Sequence, residues 1–574
     1  MFYVSLAVLM HSTVSLKPAG ASALVLCLIT LLPLLAVGWL AVGMNGGINS
    51  SSVVTSTSAW AHLIDTGLGQ YALNSLLLVL LVALGVTMVG VGAAWLTVMC
   101  EFPGRRTVAW LLALPLALPA YVIAYAYTDF LQFSGPLQSA VRALAGMDGV
   151  EWKARGYWSP EVRSLPGAAL MFVLVLYPYV YLPVRAAFAS GGANLIEAAR
   201  ILGLTPRQAF VRVALPLARP AIAGGVLLAV METLADFGAV SYFGVDTFTA
   251  GIYKAWFGLG DKAAAARLAC LLLLFTLLML WLEKNQRGRA RYAAAGSQRS
   301  AGQSGAVSRW HGWRAAGGIL LGVLPVLLGF VLPVLVLLRL ALREAGSVEW
   351  SRFAAYVWNS VSVAALAAAV ALAVALVIAY AVRLDARLGW TARIAALGYA
   401  VPGAVIAVGV LIPLGAFDNA LDAFMREHFG VRTGLLLTGS VAALVFAYVV
   451  RFLAVAFNNV EAGLMRVTPS MDDAARGAGL TPFATLLRVH APIIAKSIAV
   501  ALLLVFVDAM KELPATLAVR PFNFDTLATA AYTLAKDERL GEAAWPCLAI
   551  VLVSLAPVLL LSKALGVRRS KLAA

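Results

Sequence analysis

Four carboxylates stand where carboxylates are costly to place. Glu232 and Asp236 in METLADFG, and Asp508 and Glu512 in VDAMKELP, form two pairs with the same four-residue spacing, each at the end of a long apolar run. The pairs repeat at one offset, 276 residues, since 232 maps to 508 and 236 to 512. An ionised carboxylate at the centre of a bilayer costs about 2.5–3.5 kcal/mol on insertion scales, so acids at depth usually face a bundle interior or a water-filled path. Four-residue spacing puts the members of a pair on one face of a helix. The expectation is that the four acids line a translocation pathway near the interface of two halves of the chain. Two other arrangements stay open: the pairs lie at the outer membrane interface, where hydration is cheap, or Lys511 neutralises Asp508 or Glu512 in a structural ion pair.

The elements that position these acids are set by composition. The chain has 574 residues, of which 62% are hydrophobic and only 12% charged, with a mean hydropathy of +0.90. A soluble domain is roughly 45–50% apolar, so this chain belongs in a bilayer. About 20 apolar residues cross about 30 Å of hydrocarbon as a helix. Twelve such runs are read, near 20–43, 71–99, 107–130, 166–189, 217–243, 264–283, 316–342, 355–382, 393–416, 434–457, 493–515 and 545–566. The fold class expected is an all-α membrane protein. Cys27, Cys100, Cys270 and Cys547 are scattered singly, which supports neither a disulfide framework nor a zinc site, and no metal site is assigned. The N-terminal stretch lacks a basic region ahead of its apolar residues, so no cleaved signal peptide is read.

The net charge of +16 invites a nucleic-acid reading, but the positive-inside rule accounts for it more simply. The loop at 284–315 carries Lys284, Arg287, Arg289, Arg291, Arg299, Arg309 and Arg314, whereas the loop at 44–70 has no Lys or Arg. The 284–315 segment is therefore placed in the cytoplasm with both termini, and no nucleic-acid partner is expected. A patch for anionic lipid on this segment is the weaker alternative.

A polar phrase occurs twice: EAARILGLTPRQAFVRVALP at 197–216 and DAARGAGLTPFATLLRVHAP at 473–492, again offset by 276. Other landmarks repeat as well. Asn74-Ser75 answers Asn359-Ser360, and LPAYVIA at 118–124 answers VPGAVIA at 401–407. The chain is thus divided into an N-terminal segment (1–19), a first six-span repeat (20–283), a basic Gly/Ser/Ala-rich linker (284–315), a second six-span repeat (316–566) and a basic tail (567–574). Because six is even, the repeats run in the same direction through the membrane, related by an axis along its normal.

Each phrase is legible as helix, tight turn, helix. Asn194 and Ser470 precede Glu197 and Asp473 by three residues, the spacing of a capping box. Gly203 and Gly479 can take the left-handed conformation that ends a helix. Thr205-Pro206 and Thr481-Pro482 restart it, with Thr at the cap and Pro at the first helical position, and Gln208 completes a second capping box with Thr205. Capping alone accounts for Glu197 and Asp473 as well as docking does, and the two roles are compatible.

On these residues the chain resembles the inner-membrane permease subunits of binding-protein-dependent ABC importers, whose EAA loop reads EAA, three residues, Gly, nine residues, Ile, one residue, Leu-Pro. The first copy matches at Glu197, Ala198, Ala199, Gly203, Leu215 and Pro216, with Val213 at the Ile position. The second keeps Ala474, Ala475, Gly479 and Pro492 but has Asp473, Val489 and Ala491 where the pattern has Glu, Ile and Leu. The resemblance implies two docking helices for a cytoplasmic ATPase homodimer, a periplasmic substrate-binding protein as the second partner, and location in the bacterial inner membrane. No G-x-x-x-x-G-K-[ST] loop is present, so this chain is expected not to be an enzyme, with ATP-Mg bound by the partner and no cofactor of its own. The departures at Asp473 and Ala491 lead to the expectation that the first seat grips its ATPase more firmly.

The segments 243–269 and 520–546 correspond too, with Asp246, Thr247 and Tyr253 opposite Asp525, Thr526 and Tyr532. Their wording resembles the fused two-domain permeases of ferric iron importers; permeases for thiamine, phosphonate and polyamine share parts of it. Ferric ion prefers oxygen ligands, but a transit path must release its cargo, and Tyr253 and Tyr532 are read first as aromatic anchors at the membrane interface. An ion-coupled secondary transporter is the rival from another class. The duplicated docking phrase argues against it.

Overall fold

A computed structural model describes residues 18–41, 67–144, 161–189, 198–199, 201–286, 308–398 and 401–567. Ten helices are long and apolar enough to cross a membrane, and two further helix pairs bring the number to twelve if each counts as one bent span. The expected third span is one of these, Arg105–Ala117 with Ala120–Leu144, bent by 95°. The expected eleventh is the other, Pro482–Ile493 with Ala495–Met510, bent by 82°. Both departures from a straight run have a chain-level cause. Pro119 carries no N–H and sits in extended conformation (ψ 147°) ahead of its helix, and Ile494 leaves helical geometry two residues after Pro492.

Other boundaries shift. Span five stops at Ala235 rather than 243, span ten runs Val441–Leu464 rather than 434–457, and span nine begins at Gly403 after Pro402. The linker is shorter than read, because helices reach Gln286 on one side and start at Trp313 on the other. Its end is tied down by the one strand pairing among the described residues: Cys100–Glu101 lies parallel to Ser308–Arg309, with an Arg309–Glu101 ion pair at 3.2 Å.

The two halves repeat one packing scheme. Span two (Gly69–Met99) lies along span four (Leu165–Ala187), and both touch span five; span eight (Trp350–Leu384) does the same with spans ten and eleven. No hydrophobic force separates helix from lipid tail inside a bilayer, so small residues that let backbones approach decide such seams. The first half uses Gly85 and Gly90, where a Cβ would collide with Val173 and Val180. The second uses the buried stripe Ala364, Ala367, Ala368, Ala371 and Ala375. The opposite face of span two presents Leu73, Leu80, Leu84 and Met88, all more than half exposed, as a lipid-facing belt requires.

The first span of each half keeps the sixth span of its own half as a neighbour and otherwise reaches across to the other half. Span one (Pro18–Ala41) packs on spans eight and nine of the second half, and span seven (Trp313–Arg343) packs on spans two, three and four of the first. Glycines again permit the crossings: a Cβ on Gly409 would fall inside the contact radius of the Pro33 carbonyl, and one on Gly329 would meet that of Leu174. These obstacles are backbone and cannot swing aside. Gly409→Val is therefore expected to destabilise the protein by about 1–3 kcal/mol, the usual penalty of overpacking, read as a lowered thermal midpoint in detergent. Gly92→Val, with open space around it, is expected to leave the midpoint in place.

Candidate functional site

The predicted acids converge. Glu232, Asp236, Asp508 and Glu512 all line one cavity of about 110 Å3 between the halves, with Tyr121, Leu118-Pro119 and Val401-Pro402. The duplicated LPAYVIA and VPGAVIA segments thus meet the duplicated acids at the same place. The shared-face argument for each pair does not hold, however. Span five ends at Ala235 and span eleven at Met510, so Asp236 and Glu512 lie at chain breaks beyond the helices that carry Glu232 and Asp508.

At those breaks the carboxylates do backbone work. Asp236 Oδ1 accepts the Ala239 N–H at 2.7 Å, and Glu512 Oε1 accepts the Ala515 N–H at 3.0 Å, one position in each half. Each closes the first turn of the short helix that follows, Gly238–Tyr242 and Pro514–Val519, from one residue ahead of the cap positions Phe237 and Leu513. Thr249 and Thr516 hydroxyls donate to the carbonyls of the same two acids. Inside a bundle no bulk water is at hand to satisfy a broken helix, and these groups replace it.

The cations come from the second half alone. Lys511 pairs with Asp508 at 2.9 Å, which is the ion pair weighed from the sequence. Glu512 is held instead by Arg451 of span ten at 3.1 Å, with side chains 5% and 13% exposed. Gly403 leaves the room for this pair, since a Cβ there would strike both the guanidinium and the carboxylate. Sequence reasoning missed Arg451, whose counterpart at the same offset is Val175, also in the lining. An arginine in the middle of an apolar span was the available signal. Four carboxylates face two cations in the lining, so the cavity is acidic. Among the described residues no group of three His, Cys, Asp or Glu side chains is arranged to hold a metal ion.

The flanking segments repeat at the level of single bonds. Asn74 Nδ2 donates to the Asp246 carbonyl and Asn359 Nδ2 to that of Asp525, both at 3.0 Å. Ser75 Oγ accepts from Phe248 N and Ser360 Oγ from Leu527 N. Tyr253 and Tyr532 are not interfacial anchors: both are buried, Tyr253 stacked on Phe237 with its hydroxyl on the Pro514 carbonyl, Tyr532 bonded to Ser241 Oγ at 2.9 Å. They tie one half to the other.

Of the duplicated phrases, Glu197 and Asn194 lie outside the described residues. In both copies the first alanine, Ala198 or Ala474, is exposed and the second, Ala199 or Ala475, is buried. Gly203 and Gly479 have φ of 89° and 74°, the left-handed turn the pattern called for. Thr205 and Gln208 form a reciprocal capping box, and Thr481 Oγ1 accepts from Ala484 N. The predicted cap at Ser470 is not formed: the helix is Pro469–Gly477, its cap residue is Thr468, and Ser470 lies inside the first turn. Proline at the first helical position fixes that earlier start. Asp473 is thereby freed from capping and stands 75% exposed, with Arg476 at 3.9 Å. Leu215 is half-buried, while Gly203, Gly479 and Pro492 are exposed; Pro216 and Pro492 fall at the first turns of the helices that follow.

The acid one residue earlier carries structure that the sequence reading overlooked. Asp472 shares the inner face with Ala475, three residues on, and meets Arg383 at 2.7 Å and His490 Nε2 at 2.7 Å. Burial raises the Asp472 carboxyl, but the hydrogen bonds and charge of Arg383 and His490 outweigh it and hold the group below the usual carboxylate range. A depressed value in the folded state adds stability that is complete above the unfolded value, about 3.9, and is lost as pH falls through the folded one. The stability difference between wild type and Asp472→Asn is therefore expected to be full at neutral pH and to close in strong acid, as followed by thermal midpoints across a pH series.

Residues 86–292 match the family model described as binding-protein-dependent transport system inner membrane component. The chain is 25% identical over 497 residues to an Fe(3+)-transport system permease protein of Haemophilus influenzae, covering 85% of this chain and 89% of that one. It is 30% identical over 223 residues to a sulfate transport system permease protein of Escherichia coli, covering 39% of this chain and 72% of the other. A molybdenum transport system permease protein of the same species is 29% identical over 211 residues, 35% of this chain and 87% of its own length.

Proposed function

Since the chain belongs to the family of binding-protein-dependent transport system inner membrane components, we propose that it is the whole membrane-spanning part of one ATP-driven importer, with both halves supplied by a single polypeptide. Its two EAA loops, at 197–216 and 473–492, are the seats for a cytoplasmic ATPase homodimer, which binds ATP-Mg and does the hydrolysis. A periplasmic binding protein delivers the cargo to the opposite face. Both termini and the 284–315 linker lie in the cytoplasm, on the side of the basic loops.

The cargo proposed is ferric iron. The observation that carries this is the acidic cavity at the junction of the halves, where four carboxylates face two cations. Such a lining attracts a hard cation and repels an oxyanion such as the sulfate for which one relative matching only part of this chain is named. A relative that spans both halves is named for Fe(3+). Ion pairing and backbone hydrogen bonding occupy Asp508, Glu512 and Asp236, which keeps the cavity from becoming a tight metal site and suits passage rather than storage.

The test is reconstitution of the chain with its ATPase and binding protein in liposomes. ATP-dependent uptake of ferric iron is expected; uptake driven by an ion gradient without the ATPase would refute the reading. Asp236→Asn together with Glu512→Gln is expected to cut uptake at least about tenfold, the scale of losing about 1.4 kcal/mol of interaction with the passing ion. Unchanged transport at normal abundance would remove these acids from the pathway. Charge reversal at Glu197 and Asp473 is expected to release the ATPase from the membrane, as followed by co-purification.

A further inference from the structure

The two docking loops are joined to the membrane helices in different ways. Behind the first, the helix that starts at Arg207 runs unbroken to Ala235, through a π-turn at Phe210–Ala214, so the loop and span five form one continuous helix. Behind the second, the equivalent helix breaks by 82° between Ile493 and Ala495. A push on the second loop therefore meets a bend before it reaches span eleven.

Ahead of that break the second loop is tied to span eight, which itself packs along span eleven, by ionic contacts. Arg383, at the end of span eight, donates from Nε and Nη2 to Asp472 Oδ2 at 3.1 and 2.7 Å, and to the carbonyls of Leu464 and Val467 at 2.8 and 2.9 Å. The other oxygen of Asp472 takes His490 Nε2 at 2.7 Å, and His490 is fully buried just ahead of the break. Tyr380, one turn before Arg383, donates its hydroxyl to the Pro482 carbonyl at 2.8 Å and packs edge-on against His490. One carboxylate thus fastens the docking helix to span eight, to the end of span ten and to the segment leading into span eleven.

The first half has no such residues. The positions equivalent to Asp472 and His490 are Ile196 and Ala214, and those equivalent to Arg383 and Tyr380, by the Asn74-to-Asn359 offset, are Val98 and Trp95. Trp95 instead packs on Phe210 and Phe188, with ring centroids 4.7 and 6.0 Å apart. An apolar contact tolerates sliding, whereas two guanidinium N–H groups converging on one carboxylate oxygen fix orientation.

We infer that Asp472, with Arg383 and His490, is a transmission clamp that carries movement of the second docking loop into span eight, replacing the continuous helix that serves the first loop. Asp472 is a positioning residue: Asp473 beside it faces the partner, and Asp472 faces inward. The inference rests on the importer reading above, because a clamp needs a stroke to transmit.

The experiment uses the full chain reconstituted with its ATPase and binding protein, with ferric iron carried on the binding protein as the probe, and reads iron taken up per ATP hydrolysed. This ratio does not depend on how much complex is present. Allosteric couplings of ordinary size are worth about 5–150-fold, so Asp472→Asn is expected to lower the ratio about fivefold or more while the ATPase still co-purifies. Arg383→Lys, which keeps the charge but loses the planar fork, should lower it as well and serves if the first variant does not accumulate. Trp95→Leu in the first half, which leaves the ionic cluster untouched, should stay within about twofold of wild type. A ratio unchanged in both Asp472→Asn and Arg383→Lys, with only the quantity of protein reduced, would overturn the clamp. Absence of ATP-dependent uptake by the wild-type complex would instead overturn the importer reading on which it stands.

Discussion

Every backbone group that leaves a helix inside a bilayer must find a partner within the protein, and the centre of this molecule is organised by that requirement. Four chain breaks meet between the halves, at Pro119, Asp236, Pro402 and Glu512. The prolines at two of them have no N–H to lose. The acids at the other two close the first turns of the following helices with their own side chains, while threonine hydroxyls cover their carbonyls. The same carboxylates that complete the backbone also give the cavity its charge. A cavity at mid-structure and the means of keeping its walls intact are thus one arrangement, and neither can be changed without the other.

The two halves obey one plan but meet its demands with different chemistry. Close helix approach is obtained from glycine in one half and from an alanine stripe in the other. The turn after the break is closed by Asp in one and by Glu in the other, and only the Glu is neutralised by an arginine. Behind the duplicated phrases an aromatic contact on Trp95 stands where a buried ionic cluster stands around Asp472. Fusion into one chain permits this divergence. Two copies of an identical subunit would have to place the same residues at both sites, whereas here each half is free to differ.

Much of this was readable from residues. The duplicated Asn-Ser pairs, the Asp246 and Asp525 positions and the left-handed glycines report local bonds, and each does so in both halves. The caps at Thr205 and Thr481 formed for the same reason: a turn involves neighbours four residues away, which the sequence lists in order. The misplaced cap at Ser470 failed within that same range, because Pro469 already defined the start of the helix. Asp472 and Arg451 were passed over since their partners lie 89 and 61 residues distant, counting from Arg383 to Asp472 and from Arg451 to Glu512.

By itself the sequence determined the membrane environment, two six-span repeats running the same way, the duplicated polar phrases and the set of four acids, because hydropathy, periodicity and internal repetition are properties of the order of residues. Tertiary structure alone decided that the acids share one cavity, that two of them close the first turns of broken helices, that spans three and eleven bend, that the first span of each half reaches across to the other, and that Asp472 rather than Asp473 holds the Pro469–Gly477 helix in place. Each of these depends on which segments meet in space, and a side chain's partner across a helix seam is fixed by packing and by the shortage of water there, not by its neighbours in the chain.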